Sequence, residues 1–455
     1  MFAMEIQRDV YLQRLIQRRE NGMIKVITGI RRCGKSYLLF SLYHRYLIEH
    51  GVAEDHIIEL ALDDIANKLL RDGEKLYRYI RNTIDEIRKK ESADKKAVVF
   101  VFLDEIQFVP DFSDVMNGLL RLPGVDVYVT GSNSRMLSTD ILTEFRGRGD
   151  EVRVFPLSFA EFWQAYQQKH TSASGATKPS MAGIPIIQAW NEYYTYGGMP
   201  LILSMTDDKQ KSDYLRTLFA KVYLSDICER NDVKRPEVLD AVLNILSSSV
   251  GSLTNPKRIS DTFRSNGIPM ENDGSMLQGS TTSPTIAQYI KYCEEAFLIQ
   301  EAQRFDVKGK HYVSTPLKYY FTDVGLRNAR LRFRQQEENH IMENILYNEL
   351  VFRGYEVDVG VVTATETNTS GKRQQIALEI DFVVNRGNQK YYIQSAFEMA
   401  TADKLVQERR PLLKVTDSFK KIILVRDMIA PKRDESGIVT MSLLDFLLDE
   451  NAIKW

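Results

Sequence analysis

Cysteine is scarce: the 455 residues hold three, Cys33, Cys228 and Cys293, at irregular spacing. That excludes a disulfide framework and a zinc ribbon, both of which need paired thiols at regular intervals. An excess of one charge sign is also missing. Lys and Arg number 60 and Asp and Glu 61, for a net charge of −1. Nothing global demands nucleic acid, and any such contact has to come from local patches. No apolar run has the length of a transmembrane helix. The N-terminal stretch carries Glu5, Arg8 and Asp9 and no apolar signal core. The expectation is a soluble, cytoplasmic protein without membrane contact. The chain is too long for one ordinary core, which predicts two to four domains.

What is present is a phosphate-binding pattern. Gly29-Ile30-Arg31-Arg32-Cys33-Gly34-Lys35-Ser36 fits GxxxxGK[ST]. The glycines let the backbone curl so that successive N–H groups face phosphate oxygens. Lys35 can reach the outer phosphates, Ser36 can ligate Mg²⁺, and Tyr37 completes the expected binding stretch. Cys33 reads as a passive small residue of the loop, with modification of its thiol as the alternative. Met23 to Thr28 predicts a buried strand, and Ser36 to Tyr46 a helix with its N-terminus toward the phosphates. The apolar run Ala97 to Leu103 predicts a central strand of a parallel sheet. It ends in Asp104-Glu105, which places two carboxylates at the sheet edge where open α/β sheets bind ligands. Asp104 is expected to hold Mg²⁺, and Glu105 to polarise an attacking water.

Three further polar positions follow. The strand Val125 to Thr130 runs into Gly131-Ser132-Asn133-Ser134. Asn133 has two readings, a contact with the terminal phosphate or the attacking water, and an N-cap for Arg135-Met136-Leu137. The first is preferred because the phosphate loop and acidic pair are already placed. Arg146 and Arg148, in Arg146-Gly147-Arg148-Gly149, can stabilise transition-state charge in cis or in a neighbouring subunit.

From 23 to about 155 strands and helices alternate, as in a doubly wound α/β domain. Residues 170–183 read as a mobile insertion. Helices are expected at 238–250 and 257–265, and another opens at Ser283-Pro284. A hairpin through Lys308-Gly309-Lys310 follows. Helices followed by a β-ribbon suit a winged helix, with a basic hairpin tip (Arg304, Lys308, Lys310, His311) and Lys291 on the preceding helix; DNA contact and packing against protein both stay open. From about 337 the order α-β-β-β-α-β predicts a small α/β domain, with 363–373 as a polar mobile hairpin.

These pieces together resemble a large prokaryotic family of AAA+-like ATPases that join the ATPase to a winged helix and a C-terminal DUF4143 domain related to PD-(D/E)xK nucleases. The matching residues are Gly29 to Ser36, Leu103-Asp104-Glu105-Ile106-Gln107, Thr130 to Ser134, Arg146-Gly147-Arg148, Phe155-Pro156-Leu157-Ser158-Phe159-Ala160-Glu161-Phe162, Tyr196-Gly197-Gly198-Met199-Pro200, Glu343-Asn344 and Glu379-Ile380-Asp381-Phe382. The resemblance implies a P-loop AAA+-like core at 1–165, a helical lid at 166–235, a winged helix at 236–335 and a restriction-endonuclease-like α/β domain at 336–455. It implies ATP with Mg²⁺, and Arg148 ahead of Arg146 as an arginine finger, hence a homo-oligomer. The partners left open by the residues are DNA at the winged helix and a protein at the C-terminal domain.

The nuclease pattern breaks at one strand. Glu343 and Asp381 stand where the family's metal ligands are expected, but the next strand reads Tyr392-Ile393-Gln394-Ser395-Ala396. Gln394 binds a metal weakly at best, and Ala396 cannot replace the lysine that positions water. Lys404 and Glu398 are the nearby substitutes along the chain, and the sequence does not place either. The preferred reading is a retired nuclease fold kept for binding or assembly. The expected function is an ATP-driven switch or motor. The alternatives are a DNA-processing enzyme with a residual nuclease centre, and a nucleotide-dependent DNA-binding or scaffold protein with negligible turnover.

Overall fold

The computed structural model describes residues 5–90, 97–132, 147–173, 186–266, 282–335, 337–367, 373–397 and 402–454. The chain divides into two units. The first runs to Pro156 and takes in Glu295–Phe297; the second holds Leu157–Glu294 and Leu298–Trp455.

The first unit is built on a parallel five-stranded sheet. Its strands are β1 (Ile24–Thr28), β2 (Ile57–Ala61), β3 (Val99–Asp104), β4 (Val125–Thr130) and β5 (Gly149–Arg153), in the order β2-β3-β4-β1-β5. β1 and β3 are buried along their whole length, as unbroken apolar runs require in a sheet covered on both faces. The helix Gly73–Lys90 contributes Leu76, Ile80, Ile84 and Ile87 at helical spacing, and Phe112–Leu119 contributes Val115, Met116 and Leu119. A buried ion pair interrupts the apolar packing of the sheet. Lys25 on β1 is fully buried and pairs with the Asp126 carboxylate of β4. Asp126 also accepts the Tyr128 hydroxyl (2.9 Å) and the Glu20 N–H (2.9 Å). Burial pulls the Lys25 pKa down, and Asp126 opposes that pull.

The sheet order sets the site. β4 lies between β1, which feeds the phosphate loop, and β3, which ends in the acidic pair. Thr130 therefore sits opposite Ile27 on one side and borders the end of β3 on the other.

The second unit opens with a reciprocal cap. The Ser158 N–H donates to Glu161 Oε2 (2.9 Å), and the Glu161 N–H donates to Ser158 Oγ (3.2 Å). This capping box starts the helix Phe159–Ala173 and gives the Leu157-Ser158-Phe159-Ala160-Glu161 pattern a structural reason. The Tyr196 to Pro200 motif is anchored as well. Asp323 accepts the Gly198 N–H at 2.7 Å, and Asn328 donates to the Tyr194 and Thr195 carbonyls at 3.1 and 3.0 Å. A Cβ at Gly198 would collide with the Leu157 carbonyl, so a glycine is required there.

The helices expected at 238–250 and 257–265 are present as Pro236–Ser248 and Pro256–Asn266, and Ser283–Glu295 follows. The expected hairpin is also present, as β6 (Ile299–Asp306) and β7 (His311–Phe321). It does not stand apart. With β8 (Glu356–Thr367), β9 (Arg373–Arg386), β10 (Gln389–Ala396), β11 (Lys420–Val425), β12 (Lys432–Arg433) and β13 (Ile438–Ser442) it forms one mixed sheet, β12-β13-β11-β10-β9-β8-β6-β7. β6 pairs with β8 in parallel from Arg304↔Val359 to Asp306↔Val361, and Lys308 Nζ at the hairpin tip donates to the Thr363 carbonyl at 2.8 Å. The polar stretch 363–373, expected as a mobile hairpin, continues β8 to Thr367 and begins β9 at Arg373. Cross-strand pairing over Thr363↔Ala377 to Thr367↔Arg373 outweighs its polar composition. Among the described residues, no helix is long and apolar enough to cross a membrane.

Candidate nucleotide site and an acidic cluster

The phosphate loop leaves the C-terminal end of β1 in strained backbone. Gly29, Arg32 and Gly34 have φ of 136°, 70° and 102°. A Cβ at Gly29 would run into the Val154 carbonyl, so the first glycine is dictated by the close approach of the segment after β5. Lys35 is only 4% exposed, and its ammonium donates to the loop's own carbonyls, Gly29 at 3.0 Å and Ile30 at 3.2 Å. Ser36 is exposed at the start of the helix, and Ile30 and Cys33 are buried. Cys33 Sγ donates to the Val154 carbonyl (3.4 Å). A fully buried thiol is packed rather than presented for modification. Arg31 and Tyr37 are half-buried and Arg32 is exposed.

Asp104 and Glu105 emerge beside this loop. The Thr130 hydroxyl donates to Asp104 Oδ1 and accepts the Glu105 N–H at 3.0 Å, joining both acidic residues to the end of β4. The Ser36 hydroxyl also hydrogen-bonds Asp104. Burial raises the Asp104 pKa above the usual carboxylate value, and Glu105 and Asp63 push the same way. Hydrogen bonds from Thr130 and Ser36 oppose the rise. Glu105 adopts a left-handed φ of 52°. Its Oε2 accepts from Gln107 Nε2 and from Ser132 Oγ (3.4 Å). The oxygen donors of Ser36 and Asp104 suit Mg²⁺, which prefers one or two protein oxygens and completes its shell with water and phosphate. Thr130, Ser132 and Gln107 had no assigned role in the sequence reading. The available signal was a hydroxyl at the end of the strand that neighbours β3.

Of the remaining candidates, Asn133 and Arg146 lie outside the described residues. Arg148 is exposed, and its carbonyl accepts the Ile24 N–H at 2.8 Å. β5 runs parallel to β1 with Gly149 opposite Ile24. Arg148 therefore stands at the N-terminal edge of the sheet, with the length of β1, about 16 Å, between it and the phosphate loop.

The second unit gathers a different set. Glu343 of the helix Glu338–Phe352, Asp381 of β9 and Gln394 of β10 are each 8% exposed. Asp381 Oδ2 accepts the Ser395 N–H at 2.7 Å, and Gln394 Oε1 accepts the Asp381 N–H at 3.4 Å. The structure adds a lysine the sequence reading missed. Lys318 of β7, 3% exposed, donates to Glu343 Oε1 at 2.8 Å and pairs with Glu379 Oε1 at 2.7 Å. Tyr320, two residues on and so on the same face of β7, donates to the same Glu343 oxygen at 2.6 Å. Burial works against the Lys318 charge, but Glu343, Asp381 and Glu379 outweigh it and hold its pKa above the ordinary lysine value. Asp381 is pushed well above the carboxylate range by burial and by Glu343, with Lys318 opposing. Lys404 instead pairs with Glu408 at 3.0 Å, and Glu398 lies outside the described residues. A lysine entering an otherwise aromatic strand end, Lys318-Tyr319-Tyr320-Phe321, was the readable signal.

Residues 21–163 match the sequence model of an AAA domain, and residues 187–337 that of a domain of unknown function, DUF8612. The chain is 32% identical over 443 residues to an uncharacterized protein of Haemophilus influenzae, covering 97% of this chain and 98% of that one. It belongs to that protein's family. The uncharacterized protein MJ1544 of Methanocaldococcus jannaschii is 26% identical over 406 residues, covering 88% of this chain and 80% of that one. Among solved structures, the Walker-type ATPase PABY2304 of Pyrococcus abyssi is similar in fold, with a TM-score of 0.50 and 15% identity over 72% of this chain and 96% of that one. This chain thus carries an AAA-type nucleotide-binding ATPase domain at residues 21–163. DUF8612 spans the helices read from sequence as lid and winged helix.

Proposed function

We propose that this chain hydrolyses ATP with Mg²⁺ and uses the cycle to reposition its second unit. The observation that carries the proposal is the junction of Asp104, Glu105, Thr130 and Ser36 beside Lys35. A domain that only bound nucleotide would have no need of a carboxylate held for water activation. In this reading Lys35 exchanges the carbonyls of Gly29 and Ile30 for the outer phosphates, and the N–H groups of residues 30–36 surround them. Ser36 and Asp104 would hold Mg²⁺, which supplies positive charge to the phosphate oxygens. Glu105, oriented by Gln107 and Ser132, polarises the attacking water. Asn133 senses the terminal phosphate.

Arg148, with Arg146 second, serves the site of a neighbouring copy, since the position of Arg148 favours a trans role. The lid at 166–235 and the winged helix at 236–335 transmit the cycle, and residues 336–455 serve as a docking platform. Gln394 and Ala396, in place of an acidic residue and a lysine, support a retired rather than active nuclease centre.

The test is steady-state hydrolysis with Mg²⁺, with and without DNA. Lys35→Ala should abolish tight ATP binding, and Glu105→Gln should bind ATP without turning it over. Parent-like rates in both variants would refute the assignment. Full activity in a monomer would remove the trans arginine. DNA-accelerated turnover that declines steeply with salt would select nucleic acid as partner, and indifference to DNA would select protein. Mg²⁺-dependent nicking that is lost in Asp381→Ala would revive the nuclease.

A further inference from the structure

The phosphate loop is tied to the place where the chain leaves the first unit. Arg8, 3% exposed, precedes the helix Asp9–Arg18. Its Nη1 donates to the Cys33 carbonyl inside the phosphate loop at 3.1 Å, and its Nη2 donates to the Phe155 carbonyl at 2.7 Å. The same helix holds Phe155 a second time, through the Phe155 N–H to the Tyr11 hydroxyl at 2.9 Å. The Arg8 guanidinium lies 4.6 Å from the centre of the Tyr11 ring. Arg153 lies over the Phe155 ring at 4.8 Å and the Phe297 ring at 4.9 Å. Phe155 is one residue before Pro156, where the first unit ends, and Phe297 ends the short return segment Glu295–Phe297. Both places where the chain crosses between units therefore meet at Arg153, and Arg8 links one of them, Phe155, to the loop.

We infer that Arg8 is a positioning residue for the phosphate loop and the link by which the loop's nucleotide state reaches the Phe155–Pro156 crossing. This rests on the nucleotide-binding reading above. The physical route is short. In the structure Lys35 satisfies the Gly29 and Ile30 carbonyls, and a bound phosphate competes for that ammonium. The loop must then redistribute its hydrogen bonds. Two of its residues already press on the segment after β5, Gly29 by close approach and Cys33 by its thiol, both at the Val154 carbonyl. Arg8 fixes a third point, because one planar guanidinium holds Cys33 and Phe155 at once. A guanidinium can span two carbonyls with fixed geometry; a lysine ammonium is a point donor on a flexible stem.

The test is amide hydrogen exchange on the full chain, with and without a non-hydrolysable ATP analogue and Mg²⁺, read in peptides covering 29–37 and 150–157. In the parent, both peptides should slow on binding. In Arg8→Met, affinity should fall about tenfold, as for loss of a buried charged hydrogen bond. At saturating analogue, the 29–37 peptide should still respond while 150–157 does not. Arg8→Lys should behave like Arg8→Met in the 150–157 peptide. If Arg8 were only structural, thermal stability would fall but the 150–157 response would survive, and that result overturns the inference. Restoration of the response by Arg8→Lys would also overturn it. If neither variant folds, the parent alone decides: a loop response without a 150–157 response refutes the link. A parent that shows no response in 29–37 refutes the nucleotide reading itself.

Discussion

Replacing Lys318 with methionine keeps most of the side-chain volume and removes the charge. Glu343 and Asp381 then stay more than nine-tenths buried without the ammonium that faces them, while Glu379, about a third exposed, can turn to water. Breaking a buried pair by removing one partner costs about 3–5 kcal/mol. The Tyr320 hydroxyl still serves Glu343, which places the expectation toward the lower end, roughly 3 kcal/mol. The pH dependence carries a sign. Asp381 is already raised by burial, and without the opposing ammonium it holds its proton still more tightly in the folded state than in the unfolded one, so the variant loses stability as pH rises. The deficit should be largest near pH 8 and should shrink toward pH 5. The chain's three tryptophans, Trp163, Trp190 and Trp455, all belong to the second unit, so urea unfolding followed by tryptophan emission reads that unit alone. With a slope of roughly 3 kcal/mol/M, the midpoint should drop by about 1 M. A shift below about 0.3 M at pH 8, or an equal shift at pH 5, would refute the claim that Lys318 is the counter-ion of this cluster.

Two further outcomes follow from the same geometry. Thr130→Val removes the hydroxyl shared by Asp104 and Glu105; kcat for ATP should fall about 10–100-fold with binding nearly unchanged, and a kcat within twofold of the parent would disprove the positioning role. Asp323, raised by burial from 3.8 to about 6 despite N–H donors from Gly198, Leu326 and Gly325, keeps its proton in the folded state between pH 4 and 6 where the unfolded chain has released it. Stability of the second unit should therefore decline across that window by on the order of 3 kcal/mol. Asp323→Ala, less stable overall, should lose that part of the slope, and an unchanged slope in urea titrations would count against it.

The phosphate loop and the β3 acidic pair were legible because their signals are local. A glycine pattern after a strand and an apolar run ending in Asp-Glu each fall within a few residues. Thr130 was harder, because its role depends on β4 lying between β1 and β3, and strand order is a long-range property. The same reason hid Lys318: its partners Glu343 and Glu379 are 25 and 61 positions further on, and nothing near residue 318 announces them. The hairpin at 299–321 was found by pattern, but its membership of the eight-stranded sheet depends on pairing with β8, which alternation alone does not specify. The end of the sheet that Arg148 occupies followed only from the register of β5 with β1.

That shared sheet bears on how the protein can be divided at the bench. A cut near residue 336, where the element order and the resemblance put a domain boundary, would pass between β7 and β8. The C-terminal piece would lose β6 from the edge of β8 and keep Glu343 without Lys318. Asn344, which accepts from the Phe321 N–H at 2.9 Å and donates to its carbonyl at 2.7 Å, would lose both partners. Exposed strand edges recruit other strands, so such a fragment would tend to precipitate. A usable C-terminal fragment has to begin before β6 and carry the hairpin with it.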